Sequence, residues 1–363
     1  MKKIKINIPQ NPYHVYLGEN IFSNVIDIMK SKNLSGNIFL IIDHNIEKFY
    51  AAVIKKTFQN NNYKKIIVIA SEKNKSYETL QKIHNALIKN KFNRDSILIA
   101  IGGGIIGDLS GFAASTYMRG IKYVQIPTTL LAAVDSSVGG KTGLNFNGIK
   151  NIVGSFYQPE FVLVDTKFFT TLPQKEMLCG LGEVIKYGFL TNEKYFKFIS
   201  KNIDKILSND KKVIQKIIYE SIKFKGDVVE ADERENGIRK ILNLGHTFAH
   251  ALEVDQNHKI KHGEAVIVGI NCALYLAGFM NILSQKSFIE FNNFLKRFNE
   301  KIKIKSFDKD SMYKTMLRDK KNRSNKIKFV LMKEIGNLIT DIPADKILIN
   351  NAITKGIVDF TND

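Results

Sequence analysis

Ser96-Ile-Leu-Ile-Ala-Ile101 runs without a break into Gly102-Gly-Gly-Ile-Ile-Gly-Asp108. Five apolar residues after Ser96, closed by glycines, have the length and composition of a buried strand. Gly102, Gly104 and Gly107 then fall at G-x-G-x-x-G spacing, and Leu109-Ser-Gly-Phe-Ala-Ala-Ser115 reads as helix. Such a turn lets the backbone approach a pyrophosphate, which the free N–H groups and positive dipole of the helix start attract. Taken alone the spacing is weak, because any tight strand–helix turn produces it.

The surrounding segments repeat the strand and helix alternation. Ile38-Phe-Leu-Ile-Ile42 ends in Asp43, Lys65-Ile-Ile-Val-Ile69 and Tyr123-Val-Gln-Ile126 are further apolar runs, and Tyr77 to Ile88 carries a helical pattern. Continuous apolar strands separated by helices predict a parallel sheet covered on both faces. Met1-Lys-Lys-Ile-Lys-Ile-Asn-Ile reads as a first strand and lacks the apolar core of a signal peptide. Beyond Leu172-Pro173 the pattern turns helical, over 194–207, 211–230, 247–254, 264–280 and 285–299, and strand-like runs are scarce. The expectation is an α/β domain over 1–172 and a mostly α-helical domain over 173–363, with a ligand cleft between them.

Composition narrows the function classes. Hydrophobic residues make up 44% and charged residues 25% of 363, as in ordinary globular chains. No apolar run approaches 18 residues, so no membrane partner is expected. Two cysteines, Cys179 and Cys272, make no disulfide framework, and the cytoplasm is the expected location. The net charge is +19, but 47 lysines against 7 arginines, spread along the chain, do not suit nucleic-acid readout. The positive field suits small anions instead.

Two more stretches carry chemistry. Pro127-Thr-Thr-Leu-Leu-Ala-Ala-Val-Asp-Ser-Ser-Val-Gly-Gly-Lys-Thr-Gly-Leu-Asn145 packs hydroxyls, glycines, Asp135 and Lys141 together, with Lys150-Asn151 close behind. It is no Walker A loop, since that pattern needs glycine where Asp135 stands. Nor does an acidic residue end a strand about 20 residues after the glycine turn, as the simple dinucleotide fingerprint requires. The acidic strand end is Asp43, upstream, which could hold a ribose or cap a helix. The second stretch, Asn243-Leu-Gly-His-Thr-Phe-Ala-His-Ala-Leu-Glu253, continues into His262-Gly-Glu-Ala-Val266. His246 and His250 are four apart and share a helix face, which is ligand spacing for a zinc-type ion. Histidines that merely pack a helix would show the same spacing.

Taken jointly, Gly102–Ser115, Pro127–Asn145, Lys150–Pro159, Gly182-Glu-Val-Ile-Lys-Tyr-Gly188, Asn243–Glu253 and His262–Val266 resemble the 3-dehydroquinate synthase family. The resemblance spans roughly residues 40 to 335. It implies a Rossmann-like N-terminal domain, a helical C-terminal domain, a homodimer, NAD and a divalent metal, zinc or cobalt. It implies conversion of 3-deoxy-arabino-heptulosonate 7-phosphate, a sugar phosphate, to 3-dehydroquinate and phosphate. Metal ligands would be Glu183, His246 and His262, so that His250 handles a proton and is no ligand. NAD would meet Asp43, Glu72, Lys75, Gly104, Ile105, Ile106, Gly107, Asp108, Thr128, Thr129, Lys141, Lys150 and the turn Phe168, Phe169, Thr170, Thr171. Substrate would meet Asp135, Lys141, Asn151, Lys186, Lys225, Arg239 and Asn243, with Arg119 reaching across a dimer interface, and one of Lys320 and Lys321. Ser71 and Asn74 depart from the family's usual glycine and tyrosine, which changes the contacts of that loop. The competing readings are another sugar phosphate cyclase, such as 2-deoxy-scyllo-inosose synthase, and a metal-dependent polyol dehydrogenase.

Overall fold

A computed structural model describes residues 1–9, 11–318 and 326–361. Lys320 and Lys321 lie outside the described residues. The chain divides into two compact units, Met1–Met177 with Ser208–Arg234, and Leu178–Leu207 with Glu235–Asp363.

The first unit holds strands β1 (Lys2–Ile6), β2 (Tyr13–Gly18), β3 (Ile38–Asp43), β4 (Tyr63–Val68), β5 (Ile97–Gly102) and β6 (Lys122–Pro127). It continues with β7 (Lys141–Phe146), β8 (Ile149–Phe156) and β9 (Phe161–Asp165). Seven of these form one sheet of order β1-β2-β9-β6-β5-β3-β4, in which only the β1–β2 pairing is antiparallel. Every residue of β3, β5 and β9 is buried, as expected of strands covered on both faces. The covering helices include α1 (Val25–Ser31), α2 (His44–Phe58), α3 (Tyr77–Lys89) and α4 (Gly104–Thr116). One core cluster joins Ile41, Leu98 and Ala100 of the sheet to Leu80, Ile83 and Leu87 of α3 and Ile106, Leu109 and Phe112 of α4.

The topology matters for the site. β3, β5, β6 and β9 are neighbours and parallel, so their carboxyl ends share one edge. Asp43, the Gly102–Gly104 turn, Thr128-Thr129 and the turn Thr166–Thr171 all follow those strand ends. Ligands of open α/β sheets bind at that edge.

In the second unit the helices include most of α5 (Gln174–Thr191), α6 (Glu193–Lys201), α7 (Ile203–Leu207), α9 (His246–Asp255) and α10 (His262–Phe279), then α11 (Gln285–Lys296), α12 (Lys309–Leu317) and α13 (Lys346–Val358). Helix α10 is long and apolar enough to cross a membrane, but 78% of that stretch is buried within the chain. Its apolarity is that of a core helix.

The structure departs from the sequence reading in three places. The unit boundary falls inside α5, not at Leu172-Pro173. Helix α8 (Lys211–Ala231) belongs to the first unit, because its apolar face, including Val213, Ile217, Ile218 and Gly226, packs toward β1. Amphipathic spacing shows that a face is buried but not against what. Second, the stretch after Asp135 contains a hairpin, β7–β8, turned by Asn147 and Gly148 at positive φ. Third, the helical unit carries a hairpin of its own, β10 (Lys328–Glu334) and β11 (Asn337–Pro343).

Candidate active site

Three glycines place three side chains. Gly182 of α5 and Gly263 of α10 cross in backbone contact: a Cβ on Gly263 would lie 1.7 Å from the Cys179 carbonyl oxygen, and one on Gly182 would lie 2.1 Å from the Gly263 oxygen. Gly245, at φ +77 just before α9, presses against Gly269 and Ile270 of α10 in the same way. Each contact glycine adjoins a candidate ligand, so Glu183, His262 and His246 converge. The Nε2 atoms of His246 and His262 stand 3.4 and 3.3 Å from the same Glu183 oxygen, Oε1. Donors about 2.1 Å from a tetrahedral ion are separated by about 3.4 Å. Both Glu183 oxygens are sealed from solvent without a hydrogen bond of good geometry. A buried carboxylate and two imidazole nitrogens at this spacing fit a divalent cation. Three protein donors leave positions for a substrate, as in catalytic metal sites.

Electrostatics agree with that fit. Burial would raise the Glu183 pKa, but the adjacent Lys186 ammonium and the two histidines hold it well below the usual carboxylate range. Burial and the Lys186 charge push His246 down, which keeps its imidazole neutral and able to ligate. His262 is also pushed down by burial, but Glu183 and Glu253 outweigh this and raise it to about 10. A metal ion therefore has to displace a proton from His262.

Other expected residues gather in the same unit. Lys186 is buried against Glu183, and Arg239 is buried on the short helix Ile238–Asn243. Asn243 donates to Glu235 at 2.5 Å. His250 is exposed one turn along α9, with its ring 5.4 Å from that of His246. Helix spacing alone pairs His246 with His250, whereas the structure gathers His246 with His262 and Glu183. Glu253 and Glu235 are the carboxylates that sequence reasoning did not assign. Glu253 sits one turn beyond His250 on the histidine helix, which was the available signal.

The first unit brings together most of the expected cofactor residues. Asp43 caps α2, accepting from the Asn45 N–H at 2.8 Å, and burial pushes its carboxyl pKa up. Asp43 thus both ends β3 and caps α2. Gly104 opens α4, and Gly107 meets Gln125 so closely that a Cβ there would lie 2.1 Å from its amide nitrogen. Buried Lys75 donates to Asp108 and to Asn151, while Glu72 accepts from Asn145 at 2.8 Å and pairs with Lys150 at 3.6 Å. Thr128 is buried, and Thr129 accepts from the Ala132 N–H. Lys225 of α8 donates to Asp135 at 2.8 Å, so the lysine least fixed by any motif has a defined partner. Lys141 opens β7 and is exposed.

Some expectations need correction in detail. The side chains of Ile106, Phe168 and Phe169 are core, with Phe168 packed edge-on against Phe22 and Tyr50. These residues can present only backbone to a cofactor. Thr170 and Thr171 are exposed and bonded through their hydroxyls to Tyr50. Ile105 is half-buried at the start of α4. Arg119 is exposed and stands in a left-handed run, Met118 (φ 49), Arg119 (φ 68) and Gly120 (φ 125). That backbone is costly for non-glycine residues and is typical of functional bends.

Comparison with known proteins gives the lineage. The sequence family described as 3-dehydroquinate synthase N-terminal matches residues 65–179, and its C-terminal counterpart matches 180–322. The 3-dehydroquinate synthase of Pelagibacter ubique is 42% identical, over 97% of this chain and 98% of its own. That of Acetivibrio thermocellus is 39% identical, over 98% and 99%. A 2-deoxy-scyllo-inosose synthase solved with carbaglucose-6-phosphate, NAD+ and Co2+ superposes with TM-score 0.90 at 25% identity, covering 98% of this chain and 100% of that one. The chain belongs to the 3-dehydroquinate synthase family.

Proposed function

We infer that this chain is a 3-dehydroquinate synthase, which converts 3-deoxy-arabino-heptulosonate 7-phosphate to 3-dehydroquinate and phosphate in the shikimate pathway. The observation that carries this is identity of 39–42% with such synthases over essentially the whole length of both partners. The Glu183–His246–His262 cluster adds a metal site of the kind the reaction needs.

Each group has work that follows from its chemistry. Bound NAD supplies reversible hydride removal, and a divalent ion on Glu183, His246 and His262 supplies acidification of the substrate's hydroxyls. Asp43 at the end of β3 accepts from ribose hydroxyls. The start of α4 at Gly104 to Asp108 receives the pyrophosphate. Lys75, buried between Asp108 and Asn151, holds that loop in shape. Glu72, Thr128, Thr129, Lys150 and the Phe168–Thr171 turn complete the cofactor's surroundings. Lys141, Lys186, Lys225, Arg239 and Arg119 hold the substrate's phosphate and carboxylate by charge, and Asp135, Asn151 and Asn243 orient its hydroxyls. His250, beside the metal ligands but outside their shell, moves a proton to and from the reacting hydroxyl. The departing phosphate takes the proton for its own elimination.

We also propose a homodimer. In the first unit, Phe146, Ile149, Ile152 and Phe156 of the β7–β8 hairpin are 38–51% exposed, an unusual apolar display on a two-stranded ribbon. Cys179 and Cys272 are buried thiols outside any disulfide, which supports a reducing compartment such as the cytoplasm.

The test is purified protein with NAD+ and Zn2+ or Co2+. Phosphate should be released from the heptulosonate phosphate without net NADH. Turnover of glucose 6-phosphate in its place would favour 2-deoxy-scyllo-inosose synthase, which the superposition keeps in view. Stoichiometric NADH from a polyol would favour a dehydrogenase.

A further inference from the structure

We propose that Glu253 is a positioning residue for the metal site, holding the His262 ring so that Nδ1 carries its proton and Nε2 presents its lone pair to the Glu183–His246 pair. This rests on the reading of Glu183, His246 and His262 as ligands.

The two nitrogens of His262 face different carboxylates. Nε2 is 3.3 Å from Glu183 Oε1, and Nδ1 is 3.7 Å from Glu253 Oε2. A neutral imidazole has one N–H and one lone pair. If Nε2 ligates, Nδ1 must carry the proton, and Glu253 is the acceptor it meets. The reverse tautomer would turn a lone pair toward a carboxylate, which is repulsive. At 3.7 Å the contact is one of charge rather than a full hydrogen bond. Glu253 is buried on α9, the helix that also carries His246, so its carboxylate is fixed relative to the site.

His246 shows the same arrangement with a weaker acceptor. Its Nδ1 lies 3.2 Å from the Leu244 carbonyl oxygen, again leaving Nε2 for Glu183. Both ligand rings are therefore set in one tautomer, one by a carbonyl dipole and one by a full negative charge. A carboxylate behind a ligand imidazole makes it a stronger donor, and removing such a partner typically costs about 10–100-fold in metal affinity. The neighbouring group His250, Glu253 and His262 offers no second metal site through Nδ1 in this state of the ring, because Nδ1 then has no lone pair to give.

The test measures Co2+ and Zn2+ affinity of the full chain by chelator competition, together with the visible spectrum of the Co2+ form. Glu253→Gln keeps the shape and removes the charge. We expect at least threefold weaker binding, nearer tenfold, and shifted Co2+ bands. Binding within threefold of wild type, or weaker binding with unshifted bands, overturns the proposal. If Glu253→Gln fails to fold, Glu253→Asp replaces it: this variant keeps the charge but withdraws it by one methylene, and wild-type affinity there also overturns the proposal. A wild-type chain that binds neither metal, or a His246→Ala variant that binds as wild type does, would instead overturn the ligand assignment.

Discussion

At the scale of single residues, the site separates three histidines by the groups behind them. His246 has lost its charge to burial and Lys186, His262 has gained one from Glu183 and Glu253, and His250 stands exposed outside the cluster. Two substitutions tell ligand from proton handler. His246→Ala should strip the metal and leave no measurable turnover. His250→Ala should retain the metal and lose about 10²–10⁴-fold in kcat, the usual worth of one general acid or base. Metal analysis and phosphate release on both proteins check this, and zinc lost from the second would break the assignment. The raised pKa of His262 gives a second prediction. Its folded value of about 10 exceeds the unfolded imidazole's value of about 6.5, so protonation favours the metal-free fold. That contribution is fully present below about 6.5 and is lost as pH rises through about 10. In metal-free protein, the melting-temperature gap between wild type and His262→Gln should shrink across this window. A gap that widens with pH would contradict the Glu183 and Glu253 contacts. Much of this was visible in sequence, since the histidines form a local pattern. Glu183 was legible only through the family resemblance, because a lone glutamate on a helix carries no signal of the backbone crossing that buries it.

At the scale of elements, the decisive contacts are between helices that touch without side chains. The crossing of α5 and α10 at Gly182 and Gly263 sets the distance from Glu183 to His262, and the docking of α9 on α10 through Gly245 and Gly269 sets His246. Gly263→Ala would put a methyl 1.7 Å from a backbone oxygen, and neither helix can yield without moving a ligand. Overpacking of this kind typically costs about 1–3 kcal/mol, with more expected against backbone. We expect a lower melting temperature in metal-free protein and a metal affinity reduced by more than that loss of stability explains. Unchanged affinity in a folded Gly263→Ala chain would show that the crossing does not set the site. The same scale explains what sequence reading found and missed. β3 and β5 were legible because strands buried on both faces read as near-continuous apolar runs. The β7–β8 hairpin was not, because its residues alternate neither cleanly nor apolarly. Lys141, Asn145, Lys150 and Asn151 put polar side chains among its apolar ones. In β10–β11 the register shifts twice, which breaks the period-2 signal.

At the scale of the whole molecule, two folding units were anticipated, but their composition was not. A chain that enters the second unit at Leu178, returns at Ser208 and re-enters at Glu235 has no single linker to announce it. Helix α8 makes that return, and with it comes Lys225, which reaches Asp135 only because the two share a unit. The assembly beyond one chain rests on surface chemistry. Four large apolar side chains stand out on the β7–β8 hairpin, and Arg119 precedes Gly120, where an added Cβ would lie 3.2 Å from the hydroxyl of Tyr157, the residue after Phe156. If that face pairs with a second copy, the particle should sediment at about twice the 41.2 kDa of the chain. The paired variant Ile149→Glu and Ile152→Glu would bring like charges together across a twofold interface, at a cost of several kcal/mol. We expect it to sediment as a single chain with an unchanged circular dichroism spectrum and Zn2+ affinity, since the ligands belong to the other unit. With Arg119 no longer reaching a partner's substrate, KM should rise while metal content stays the same. A doubly substituted chain that remains a dimer would move the interface to another face, and a monomer with wild-type KM would remove Arg119 from the substrate's contacts.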